Sequence, residues 1–281
     1  MSQAPVDADN FCYRHPGRQS YILCQRCGKT VCPECQVQAA VGVHCVDCAR
    51  ANRPPRPKPR FVTAFRSTST QPVVTYSLIG VTAFLFILQS VPGIGSTVTQ
   101  ALQYAGAYTQ PALGLPLEPW RMITSIFMHG GILHLLFNMY ALFIFGQMLE
   151  HTLGRARYLA LYLLAGLGGS VAVDLIASPA QPVVGASGAI FGLMGAFFVI
   201  QRHFGGNNIQ LLVLVGINLV IGFIPGFGIA WQAHLGGLAV GALIGLIFTK
   251  TRNVRQKNTQ MLLLVATGVG LVALTVVKAI A

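Results

Sequence analysis

Seven apolar segments, each near the ~20 residues a helix needs to cross a bilayer, run along the chain at about 73–91, 130–149, 158–176, 183–201, 209–224, 230–248 and 261–277. Hydrocarbon offers no partner for backbone N–H and C=O groups, so each segment must close its hydrogen bonds within a helix. The pattern predicts an all-α multi-pass membrane protein with seven spans. Composition agrees: 53% of residues are apolar and 9% charged, where a soluble domain has about a quarter charged. The formal net charge of +12 would suit nucleic acid, but the positions of the basic residues argue against it. Of the 19 lysines and arginines, all except Arg121 and Lys278 precede the first segment or follow the second, fourth and sixth. That bias predicts a cytoplasmic N-terminus, an outside C-terminus and a bilayer, not nucleic acid, as the basic partner. Met1 to Asn10 is polar and the first apolar run begins near Val73, so no signal peptide is expected. The greasy gap at 92–120 reads as a loop partly sunk in the outer leaflet.

All seven cysteines lie between Cys12 and Cys48. They form the knuckles Cys12-x2-His15, Cys24-x2-Cys27, Cys32-x2-Cys35 and Cys45-x2-Cys48. Seven thiols cannot all pair as disulfides, but with His15 they make the eight ligands of two tetrahedral zinc sites. His44 competes with Cys45 for the last position; Cys45 keeps the two-residue spacing. The order resembles a B-box-like cross-brace, which implies that the first and third knuckles share one ion and the second and fourth the other. The expected organisation is a zinc module at 10–50, which would offer a partner site in the cytoplasm, and a Pro/Arg-rich linker at 51–70. A six-helix core at 71–249 and an additional C-terminal helix at 258–281 follow.

Ionisable and amide side chains inside a membrane are costly and by default mark function. His134 and Asn138 are four residues apart, on one face of the second segment, and His129 lies about 140° round from His134. In the sixth segment His234 shares a face with Gly237 and Gly241. That face can press closely on the glycine stripe of Gly185-Ala-Ser187-Gly188-Ala-Ile-Phe191-Gly192 in the fourth. Ser187 falls in a first helical turn, where N–H groups have no partner within the helix. A serine needs a neighbouring base to become a nucleophile, and His234 is the candidate. Asn138, His134 and the Ser187 N–H could then receive an oxyanion. Asp174 and Glu150 are both too far along their segments to complete a triad, so the reading is a dyad without a catalytic cofactor. Two rivals are a metal held by the three histidines and simple polar glue between helices.

These residues resemble the rhomboid family of intramembrane serine proteases. The match runs from Trp120-Arg121 through His129, His134, Asn138 and Gly185-Ala-Ser187-Gly188 to Ala233-His234-x2-Gly237-x3-Gly241. The resemblance implies a six-helix core, here extended by a seventh helix. It implies Ser187 as nucleophile, His234 as general base and acid, His134 and Asn138 at the oxyanion, and single-spanning membrane proteins as substrates. Where some members carry a tyrosine against the catalytic histidine, this chain has Phe191, which can stack but lacks the hydroxyl. The alternative function is a non-catalytic member of the fold that retains membrane clients.

Overall fold

The computed structural model describes residues 10–39, 42–51, 71–222, 224 and 228–280. The linker expected at 51–70 lies, from residue 52 on, outside the described residues, as do the two chain ends. The chain divides into two compact units, 1–58 and 59–281.

In the first unit, β1 (Phe11–Cys12) pairs antiparallel with β2 (His15–Gln19), and β3 (Gln36–Gln38) with β4 (Val43–Cys45); α1 (Val46–Ala51) follows. Its buried cluster is Val31 with Cys12, Cys24, Cys32, Cys35 and Cys45. One valine among sulfur atoms is far too small a core for a domain of this length to fold without a staple.

The second unit places a helix on each of the seven apolar segments: α2 (Val73–Gln89), α5 (Ile132–Leu153), α6 (Arg155–Ile176), α7 (Ser187–His203), α8 (Ile209–Gly222), α9 (Trp231–Lys250) and α10 (Lys257–Ile280). Among the described residues, α5, α6, α9 and α10 are long and apolar enough to cross a membrane, while α2 and α8 are shorter apolar helices. Their outward faces are greasy. On α5, Leu133, Phe137 and Tyr140 are exposed at spacings of four and three, a stripe that suits lipid rather than water.

α7 is the most enclosed helix, buried without a break from Gly188 to Phe197. It packs between α6 and α9 because glycines let the backbones touch. A side chain on Gly237 would fall on the carbonyl oxygen of Gly188, and one on Gly241 on that of Gly192. A side chain on Gly236 would likewise meet the Gly168 carbonyl of α6. Contact at this range replaces the hydrophobic drive that lipid cannot supply.

Polar side chains close the seams. The Glu150 carboxylate on α5 accepts from the N–H groups of Val74 (2.9 Å) and Thr75 (2.8 Å) and from the Thr75 hydroxyl (2.8 Å). Buried at 1% exposure, it caps the positive end of α2 with a charge-assisted bond set. On α10, Gln260 accepts from Arg157 Nε (2.6 Å) and donates to Thr251 Oγ1 (2.8 Å), tying the seventh helix to α6 and to the end of α9.

The gap at 92–120 is more ordered than the expected loop. It carries α3 (Gly95–Leu102) and two 3₁₀ turns at 106–108 and 111–113 before α4 (Arg121–Thr124). Backbone lying against a packed bundle must pair its own polar groups, and short helices do this over few residues. Asp174 of α6 fastens the segment by accepting from Thr109 Oγ1 (2.9 Å) and Gln110 Nε2 (3.1 Å). Arg121 pairs with Glu118, donates to the Gln103 carbonyl (3.2 Å) and lies 4.0 Å from the Tyr108 ring centre.

If backbone contact sets the α7–α9 distance, Gly241→Val should destabilise the helical unit by about 3 kcal/mol, the upper range for overpacking. Gly270→Ala, on α10 with nothing within 4 Å, should change stability by less than about 1 kcal/mol. Thermal denaturation in detergent would distinguish them.

Candidate functional site

The glycine seam brings the serine and histidine together. Ser187 is the first residue of α7, and His234 lies in the first turn of α9. With Gly188 against Gly237, the two side chains meet: His234 Nε2 is 2.9 Å from Ser187 Oγ. Phe191, one turn along, lies flat on the imidazole, with ring centres 4.2 Å apart and planes inclined by 8°. His234 is 7% exposed, and its Nδ1 has no hydrogen-bond partner among the described residues. The ring is therefore held by the Phe191 face and by the Ser187 contact at Nε2.

The chain reaches Ser187 along a braced path. Val183 and Tyr104 exchange two backbone hydrogen bonds (2.7 and 3.2 Å), and the Gly185 N–H donates to the Ser125 carbonyl (2.9 Å). Gly185 has φ +126°, a conformation open to glycine and strained for other residues. A Cβ there would also lie 2.8 Å from both Cε1 and Nε2 of His134. The His134 imidazole thus faces the turn that presents the serine. Its other nitrogen, Nδ1, accepts the Gly130 N–H at 3.4 Å, so in the neutral ring Nε2 carries the proton.

Asn138 donates one amide hydrogen to the His134 carbonyl (2.8 Å), which leaves its second N–H for another acceptor. His129 is 3% exposed, with its ring centre 5.0 Å from that of His134; neither of its ring nitrogens has a partner among the described residues. Its backbone is the anchored part, since the Gln89 side chain binds both its N–H and its carbonyl. Asp174 and Glu150 are committed to the contacts described above.

In the first unit the knuckles assemble into two groups. Cys12, His15, Cys32 and Cys35 form one, and Cys24, Cys27, Cys45 and Cys48 the other; within each, the ligand atoms lie within 4.8 Å of one another. His44 sits in β4 opposite Val37 and joins neither group. His15 Nδ1 is 3.8 Å from Cys12 Sγ, 3.3 Å from Cys32 Sγ and 3.5 Å from Cys35 Sγ, and Cys27 and Cys45 sulfurs are 3.7 Å apart. A tetrahedron with metal–sulfur bonds of about 2.3 Å and a metal–nitrogen bond of about 2.05 Å has edges of about 3.8 and 3.6 Å. The four separations, 3.3 to 3.8 Å, lie around those edges. Burial raises the Cys12 thiol, but backbone N–H groups of Cys32, Arg14 and His15 bring it down to about 6. The same balance at Cys24 also gives about 6, while burial pushes Cys35 up to about 11 and the bond to Cys27 pushes Cys48 up to about 12; it is the thiolate that binds metal.

The sequence profile of the rhomboid domain matches residues 116–251, a range that contains Ser187, His234, His134 and Asn138. GluP, a rhomboid protease of Bacillus subtilis, is 36% identical over 209 residues, covering 71% of this chain and 40% of GluP. RHOMBOID-like protein 5 of Arabidopsis thaliana is 39% identical over 138 residues, covering 46% of this chain and 44% of its own length. YdcA of Bacillus subtilis is 35% identical over 190 residues, covering 66% of this chain and 92% of YdcA. The chain belongs to the rhomboid family and is a multi-pass membrane protein. It spans less than half the length of GluP and of RHOMBOID-like protein 5.

Sequence reasoning had no signal for Gln89, whose two-sided grip depends on a contact across 40 residues. Glu150 was legible as a carboxylate at a segment end, but not as the cap of a helix that starts near residue 73.

Metal analysis of the purified chain should find two equivalents of a thiophilic divalent ion. Cys24→Ser should lower that to about one, because the two groups share no ligand; a loss of both would mean that the groups assemble together.

Proposed function

We propose that this chain is an intramembrane serine endopeptidase that cuts transmembrane proteins by acyl transfer. The observation that carries the reading is the 2.9 Å contact between Ser187 Oγ and His234 Nε2 within a membrane-embedded helical unit. GluP is named a rhomboid protease, which supports the same assignment. Ser187 Oγ attacks the scissile carbonyl carbon as its proton passes to His234 Nε2. The new oxyanion faces His134 Nε2–H, the free Asn138 N–H and the unpaired first-turn N–H of Ser187. As the C–N bond breaks, His234 returns the proton to the leaving amine. Water, activated by the same histidine, then attacks the ester and frees Ser187. Among the described residues the dyad has no carboxylate partner; the Phe191 face holds the imidazole in plane instead.

The ions of the first unit are read as two structural zinc ions. Tetrahedral sets of Cys₃His and Cys₄ suit zinc, and binding would supply the folding energy that this small core lacks. The metal takes no part in the cleavage. The basic-residue bias supports a cytoplasmic zinc module and an outside C-terminus in the cell membrane.

A fluorophosphonate should label the protein at Ser187, and Ser187→Ala should abolish both labelling and cleavage of a transmembrane substrate. His234→Ala should do nearly the same, since an unassisted hydroxyl is a weak nucleophile. Asn138→Ala should slow turnover by about 10²-fold if its amide is one donor among several. A folded protein that resists labelling but still retains membrane clients would favour a non-catalytic binder.

Orientation has its own test. A cysteine placed at residue 281 should react with an impermeant thiol reagent in intact cells, while the cysteines of the zinc module should not. Protection of both would mean an even number of spans.

A further inference from the structure

We infer that Gln89, at the end of α2, is a positioning residue that fixes which nitrogen of His134 carries the proton. This rests on His134 being an oxyanion donor. The Gln89 carboxamide grips the backbone of His129 from both sides. Its Oε1 accepts the His129 N–H at 3.0 Å, and its Nε2 donates to the His129 carbonyl at 3.3 Å. The second Nε2 hydrogen goes to Thr99 Oγ1 at 2.9 Å, and Thr99 in turn donates to the Gly95 carbonyl at 2.9 Å. Every polar atom of Gln89 is thus used, and the side chain has one orientation.

The consequence comes from peptide geometry. The His129 carbonyl and the Gly130 N–H belong to one planar trans peptide, so they point in opposite directions. Holding the carbonyl towards Gln89 aims the Gly130 N–H the other way, at His134 Nδ1, which it reaches at 3.4 Å. An Nδ1 that accepts a backbone N–H cannot also be protonated, so the ring hydrogen sits on Nε2. The Nε2 edge is the one beside Gly185 and Ser187. In the other tautomer Nε2 would present a lone pair to the oxyanion, which repels instead of stabilising it. Gly130 and Gly131 restrict this peptide little by themselves, so the outside clamp carries the task.

Gln89→Ala should lower kcat on the order of tenfold with KM little changed, less than the about 10²-fold loss of a whole donor. Gln89→Glu keeps the volume and the acceptor but loses the N–H donor; it should show the same kcat loss and serves where the alanine variant folds poorly. In a His134→Ala background neither change should reduce kcat further, since a residue acting only through another is non-additive with it. A purely structural role would instead multiply the two losses, and that result would overturn the inference. The ring ¹⁵N spectrum of His134 gives a readout independent of activity. The parent should show the Nε2–H tautomer, and both Gln89 variants a mixture. An unchanged tautomer in both variants would overturn the inference. If the tautomer shifts but His134→Ala keeps parental kcat, the oxyanion role fails while the clamp stands.

Discussion

The carbonyl oxygens of Gly188 and Gly192 occupy the space that side chains on Gly237 and Gly241 would need, and the rest of the helical unit is arranged around that approach. It sets the height of α7 against α9. A residue at the first position of one helix and a residue in the first turn of the other then come to the same level. Had either seam been lined with leucine, the axes would part by several ångströms, and a hydroxyl and an imidazole could not reach one another. The same seam explains why Phe191 can lie flat on His234: a ring needs little room where the backbone beside it has no side chain.

In lipid, each buried polar group needs a partner close at hand, and the fold meets this demand with single side chains that serve two or three groups at once. Glu150 satisfies two N–H groups and a hydroxyl at the head of α2. Asp174 gathers Thr109 and Gln110, and Gln260 links Arg157 to Thr251. Each joins elements far apart in sequence, so the helices are laced at their ends by polar contacts and along their lengths by small residues. The segment between α2 and α5 is held by both means, which keeps the approach to Ser187 defined.

Much of this was legible in the residues. Apolar runs give helix positions because the hydrocarbon permits little else, and the glycine spacing in 185–195 and 237–245 announces which helices touch. The paired knuckles of the first unit likewise mark the ligands, since ligand spacing is a short-range property; which knuckle joins which came from the resemblance to a B-box-like cross-brace, and the two groups have that order. Gln89, Glu150 and Asp174 were opaque for the opposite reason. An isolated amide or carboxylate near a segment end looks alike whether it faces headgroups or caps a distant helix. Only the packing decides, and the packing is a sum over contacts that no local pattern encodes. The helix within 92–120 was missed because Gly95–Leu102 is eight residues of mostly small and polar side chains, too short to stand out beside the long apolar runs.

The division of the chain into two compact units means that it has two stabilities rather than one. The helical unit is held by contacts that are indifferent to ion activity. On the zinc reading proposed above, the first unit, built from Val31 and a set of sulfur side chains, has a free energy of folding that moves with the logarithm of free metal concentration. Denaturation of the whole chain then has no single midpoint: chelator strength and temperature become separate axes, along which one half of the molecule melts while the other stays folded.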